Sequence, residues 1–264
     1  MTIEGSTATE GSMSTAGGRG VLAGRQLGAT AALLVVESLL IAVPLIVLGR
    51  AVNWPASLEE PAQSMLPLVA EHETALRVGY LAYLLYSLLF LPAIMATVFA
   101  FTSPQGRLRP VAQLAVILAA ISVLARAIGI LRWLTAIPSM AVAWPEADPA
   151  LRQVLSVQFR TLNDASGGVG ELLGVSAFGA AAVAATVIAI RPRTPRGLTW
   201  FGAVAVLAAL TPLVELTGVA PGALTSVGVS FVQVWFLAIA ALLVVRRRRS
   251  TSGAALDQRV GNGW

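Results

Sequence analysis

Six long apolar stretches, at about 27–49, 75–101, 111–137, 167–190, 198–218 and 225–245, constrain this chain more than anything else in it. At ~1.5 Å per residue, each can cross the ~30 Å hydrocarbon core of a bilayer. A lipid-exposed backbone has no water to bond to, so each stretch must satisfy its own amides as a helix. The period-two alternation of a barrel strand is absent. The expected fold is therefore all-α: an integral membrane bundle of six transmembrane helices. With 56% hydrophobic and 12% charged residues, the chain is far more apolar than a water-soluble domain of 264 residues requires.

Orientation follows from where arginine falls. With the N-terminus inside, the cytoplasmic segments carry Arg19, Arg25, Arg107, Arg109, Arg191, Arg193, Arg196, Arg246, Arg247, Arg248, Arg249 and Arg259. The outer segments then hold Arg50, Arg77, Arg152 and Arg160 beside the acids Glu59, Glu60, Glu71, Glu73, Glu146, Asp148 and Asp164. The positive-inside rule thus predicts cytoplasmic termini, and the arginine-rich, lysine-free composition suggests a bacterial plasma membrane. Residues 1–24 and 250–264 are expected to be cytoplasmic tails flanking a membrane domain over 25–249. The first of these is rich in Gly, Ser and Thr and is expected to be disordered. A cleaved signal peptide is disfavoured, because the first apolar run begins only at Leu27 and exceeds the length of a signal core. The run Arg246, Arg247, Arg248 and Arg249 reads first as a stop-transfer anchor, with anionic lipid headgroups as the alternative partner.

Several function classes drop out. The chain has no cysteine, a single histidine, His72, and no lysine. Disulfides, thiol catalysis, multi-histidine metal sites and a lysine Schiff base are thereby excluded. No phosphate-binding loop or nucleophile–base motif is present, so no catalytic residue, metal ligand or cofactor is assigned. A pI near 10.9 would suit nucleic acid only if the arginines formed one soluble patch. They sit instead at the ends of apolar stretches, where membrane topology accounts for them.

Five ionisable residues interrupt the spans: Glu37, Arg126, Arg132, Glu171 and Glu215. A charge at the bilayer centre costs about 2.5–3.5 kcal/mol on insertion scales, so each should face protein or water. Counting from the outer helix ends puts Glu37 and Arg126 roughly 16–18 Å deep, and Arg132, Glu171 and Glu215 roughly 4–8 Å deep. The expectation is a deep Glu37–Arg126 pair and a shallower outer group that Arg77 and Gln233 could reach. Either these charges fix the packing or they form a ligand or ion site. Tyr80, Tyr83 and Tyr86 recur at three-residue spacing, as cavity lining or as helix packing. Gly170 and Gly174 form a small-xxx-small pair, which predicts close backbone packing around Glu171.

The short turns containing Pro104 and Pro195 predict antiparallel neighbours on either side. Pro44, Pro92 and Pro212 should kink their spans. Leu151, Val154, Leu155, Phe159 and Leu162 lie on one helical face, expected on the outer membrane surface or as a lid over an outward cavity.

Short stretches, Arg25–Gln26–Leu27–Gly28, Leu76–Arg77–Val78–Gly79 and Pro195–Arg196–Gly197–Leu198 before Gly202, resemble a bacterial family of uncharacterised multi-pass membrane proteins. That family carries only a domain-of-unknown-function label, number 4386. The resemblance covers roughly residues 25–245 and implies a membrane bundle without a known activity. The residues themselves favour small-ligand or ion binding or transport through Glu37, Arg126, Arg132, Glu171, Glu215, Arg77 and Tyr83. The alternative is a non-catalytic scaffold or partner subunit held together by the same charges.

Overall fold

The computed structural model describes residues 10–102, 109–218 and 224–261, with side chains over 24–58, 60–102, 109–218 and 228–249. The basic turn at 103–108 and the side chains of Arg19, Glu59 and Arg259 lie outside the described residues. The structure is entirely helical among the described residues, and six of its helices are long and apolar enough to cross a membrane.

The first span joins α1 (Glu10–Leu40) to α2 (Ala42–Val52), with a break at Ile41. Pro44 accounts for the break, because it supplies no amide hydrogen and is tolerated only in the first turn of the helix that follows. Asn53, in the left-handed region at φ 55°, ends α2. Helix α3 (Ala62–Glu71) leads into the second span, α4 (Glu73–Thr102). The third is α5 (Pro110–Leu134), which breaks at Thr135 and continues as α6 (Ala136–Ala143). Next comes α7 (Pro149–Gly167), capped by Asp148, whose carboxylate accepts from the Leu151 amide at 2.8 Å. This helix runs without interruption through a π-helical stretch, Gly168–Gly179, into α8 (Ala180–Ile190). The last two spans are α9 (Arg196–Leu210), extended by a 3₁₀ segment at Thr211–Thr217, and α10 (Leu224–Gly261).

Backbone helix already covers residues 10–23 and 250–261, where composition predicts tails. Each piece extends a long helix that is already nucleated, so propagation costs little even for weak helix formers. Residues 1–9 and 262–264 are outside the described range.

As the short turns predict, α4 packs on α5 and α8 on α9. Side chains such as Val36, Leu85, Leu88, Ile117, Leu124, Ile188 and Leu207 point outward, the pattern of a bundle whose solvent is lipid. Inside are two separate apolar cores. One, toward the arginine-rich end, joins Phe90, Phe101, Trp235 and Phe236 with alanines of α5, α8 and α9. The other, at the opposite end, joins Leu48, Met65, Leu66, Tyr80, Trp133, Ile137, Trp144 and Phe159. Helices α3, α6 and α7 pack against one another as a cap over that second core.

The cap changes the reading of α7. Its apolar face is covered mainly by protein: Leu155 and Phe159 are buried in the second core, while Leu151 and Val154 stay exposed. Residues Asn163 and Gln63 tie the cap together, the first donating to the Leu58 carbonyl at 2.7 Å and the second to Ser156 at 3.3 Å.

Candidate functional site

The polar side chains collect in the gap between the two cores. Along that gap α5 approaches the π-helical stretch closely. A Cβ on Gly129 would stand 2.7 Å from the Gly170 Cα, and one on Gly174 would stand 2.9 Å from the Arg126 amide nitrogen. The glycine seam continues to Gly179, where a Cβ would meet the Arg126 Nη2 at 2.7 Å. Its spacing is four residues and then five, the second step reflecting the wider π turn. Ser122 locks the seam by donating to the Gly174 carbonyl at 2.6 Å.

A long arginine can therefore lie flat against a helix backbone at this depth. The Arg126 guanidinium sits 4.3 Å from the centre of the Phe90 ring, a cation–π contact that partly replaces lost water. It is 6% exposed, its Nε has no hydrogen-bond partner, and no carboxylate lies within ion-pair distance among the described residues. Glu37, on α1, is fully buried, and neither of its carboxylate oxygens has a hydrogen-bond partner. No ion pair joins it to Arg126 among the described residues. Beside Glu37, the Gln233 side-chain amide donates to the Tyr86 hydroxyl at 2.7 Å, and Ser38 donates to the Gln233 backbone carbonyl at 3.3 Å.

The shallower group is more tightly bound. Arg132 donates to the Asn163 carbonyl at 3.0 Å and faces Glu171 at 3.6 Å. Gly167 makes room for it, since a Cβ there would stand 3.0 Å from the guanidinium. The Glu171 side chain is 39% exposed while that of Arg132 is buried, so the pair marks the boundary between interior and solvent.

Two hollows meet at this pair. The inner cavity, about 260 Å³, runs from Arg126 and Gln233 up to Arg132 and Glu171, with Tyr80 and Tyr83 on its wall. A recess of about 1000 Å³ lies beyond it, lined by α3, α7 and the segment between α2 and α3. Arg132, Glu171, Pro55 and Leu58 border both. Aromatic contacts stiffen the wall: Tyr80 stacks on Trp133 at 5.1 Å, and Trp54 meets Tyr83 edge-on at 5.4 Å.

The structure therefore brings Arg126, Arg132, Glu171 and Tyr83 around one cavity, with Glu37 behind its inner end. Glu215 is exposed and borders only the outer recess. Arg77 borders neither hollow; it is exposed and pairs with Glu73 at 2.8 Å, one helical turn away. Sequence reasoning passed over Ser122, Gly129, Gly179 and Asn163. A polar residue facing the glycine stripe could have signalled Ser122, whereas the five-residue step to Gly179 escapes a search at helical spacing. Among the described residues no group of three His, Asp or Glu side chains is placed to hold a metal ion.

At the other end, Arg246 donates to the Arg193 carbonyl and lies 4.7 Å over the Phe101 ring, while Arg247 packs against Gly28. Arg248 and Arg249 are exposed.

A family model described as Domain of unknown function (DUF4386) matches residues 29–246, and the chain belongs to that family. No curated protein and no solved structure matches it.

Proposed function

We propose that this protein binds or transports a small ligand, held in the cavity between the two apolar cores and reached from the outer recess past Arg132 and Glu171. The observation that carries this reading is that both hollows meet at one half-exposed ion pair. A closed structural network would leave no such space and would satisfy its own polar atoms. Here Glu37, the Nε of Arg126, the Nε of Arg132 and the Oε1 of Gln233 all lack hydrogen-bond partners. The scaffold alternative draws on one contact, the bond from Arg132 to the Asn163 carbonyl, which joins α5 to α7 whatever occupies the cavity.

The proposal includes an orientation. The arginine-rich turns and both termini face the cytoplasm of a bacterial cell, and the recess under α3 and α7 faces outward. The run from Arg246 to Arg249 serves first as an anchor, because Arg246 and Arg247 pack on the bundle, with anionic headgroups as the alternative partner of the run.

Because the chain contains no cysteine, single-cysteine variants report accessibility without background. In intact cells, Glu171→Cys should react with a membrane-impermeant thiol reagent, Tyr83→Cys more slowly, and Ser38→Cys not at all. Reaction of Glu171→Cys only after permeabilisation would reverse the orientation. Absence of reaction in both states would mean that no water path reaches the cavity, and the binding reading would fall.

A further inference from the structure

The inner cavity has a second feature that the outer recess does not explain. Leu45 on α2 and Val234 on α10 line it, yet they are 42% and 53% exposed. Both lie in membrane-spanning helices, Leu45 seven residues from the end of α2 and Val234 ten from the start of α10. At ~1.5 Å per residue that is roughly 10–15 Å inside, within the hydrocarbon layer. The cavity thus has a side window facing lipid between α2 and α10.

The break at Ile41 creates the window. Up to Ser38, α1 packs closely on α10, and the Ser38 hydroxyl bonds across to Gln233. Past the break, α2 leans on α4, where Leu48 fills the space above Gly79. The chain moves off α10 at the height of the cavity.

We infer that the ligand is a single-chain amphiphile with an anionic head, which enters sideways from the lipid and places its head between Arg126 and Arg132. This rests on the binding reading above and specifies its ligand. Charge complementarity selects the head. Two guanidinium groups line the cavity against one lining carboxylate, Glu171, which already faces Arg132; the other buried acid, Glu37, is not part of the lining and makes no ion pair with Arg126. Arg126 lines the cavity, is nine-tenths buried and has no acid within ion-pair distance among the described residues, so an entering carboxylate or phosphate would supply a contacting counter-charge. A cationic head would meet repulsion from both guanidinium groups.

Size and wall chemistry select the chain. Ligand pockets for whole drug-sized molecules run to about 300–1,000 Å³, and this cavity, about 260 Å³, lies just below that range. It holds a head and the first part of a chain. Between Arg126 and the window the wall is Ile41, Leu45, Val229 and Val234, which suits methylenes. The rest of the chain would remain in the bilayer, where its burial is already complete.

The test uses full-length protein in nanodiscs of phosphatidylcholine. A dodecanoate brominated along its chain quenches tryptophan emission, with Trp54 and Trp133 in the cavity wall as reporters. The competable part of the quenching measures site binding. Unlabelled dodecanoate should compete, whereas butyrate and dodecyltrimethylammonium should compete at least about tenfold more weakly. Both Arg126→Gln and Val234→Phe should weaken competition by about tenfold or more. Val234 faces lipid, so that variant and the headgroup comparison on the unaltered chain decide the matter even if Arg126→Gln fails to fold. Butyrate competing as well as dodecanoate would overturn the amphiphile and leave a small-anion site standing. Equal competition by the cationic chain would overturn the charge argument, and an unaffected Val234→Phe would overturn the side entrance. No competable quenching, together with an unreactive Glu171→Cys, would remove both proposals.

Discussion

Replacing Gly170 with alanine places a methyl carbon 2.8 Å from the Gly129 Cα, at least 0.6 Å inside the 3.4 Å at which ordinary contact begins. The obstacle is the backbone of α5, which has no rotamer to change. The two helices must therefore separate or the π-helical stretch must shift. A gap of 0.5–1 Å forfeits about a quarter to a half of the dispersion energy of each contact across a seam. Overpacking of this kind typically costs about 1–3 kcal/mol. Gly168, two residues earlier in the same stretch, supplies the control, since a Cβ there meets nothing within 4 Å. Relief of glycine's backbone entropy makes Gly168→Ala neutral or stabilising by up to about 1 kcal/mol. Reversible unfolding by SDS in mixed micelles should show Gly170→Ala lower in stability than Gly168→Ala by about 1–4 kcal/mol. Gly129→Ala should match Gly170→Ala, because its methyl strikes the Gly170 Cα at 2.7 Å from the other side. Equal stability of Gly168→Ala and Gly170→Ala would refute backbone contact at this seam.

Other perturbations probe the surrounding shell. Loss of the Ser122 hydroxyl in Ser122→Ala leaves the buried Gly174 carbonyl without that donor and should cost about 1–3 kcal/mol by the same titration. Glu171→Gln should cost less than about 1 kcal/mol, since the bridge is 3.6 Å long and its acid is part-exposed. Arg132→Gln should cost more than Glu171→Gln in the same assay, because it also loses the Asn163 carbonyl; the reverse order would contradict the geometry. Gly202→Ala would put a methyl 2.7 Å from the Trp235 Nε1 and displace the indole from its 3.1 Å bond to the Leu198 carbonyl. A changed tryptophan near-ultraviolet dichroism, with about 1–3 kcal/mol lost, is expected.

The number of spans was legible in the sequence because it depends only on hydropathy and distance along a helix. Hydropathy marks where a helix enters lipid, and residue count marks depth. Glu37 and Arg126 are both buried, but no ion pair joins them among the described residues. Which charges touch depends instead on azimuth, and there the reading diverges from the structure. Arg132 and Glu171 meet, whereas Glu215, at similar counted depth, faces the recess and remains exposed. Arg77 turns back along its own helix to Glu73.

The π-helical stretch shows why azimuth was out of reach. A hydrogen bond spanning five residues rather than four turns the chain less per residue, so every side chain after it points elsewhere than helical spacing predicts. Gly170 and Gly174 precede most of that drift and were found as a pair at α-helical spacing. Gly179 closes the same seam one residue later than that spacing allows, and it is the residue that makes room for the Arg126 guanidinium. Were the stretch regular α-helix, position 178, occupied by Phe178, would take that place on the seam. A phenylalanine ring there would fill the space that Arg126 now occupies. This π-helical stretch thus decides whether a buried cation can border the cavity, and neither hydropathy nor composition changes when it forms.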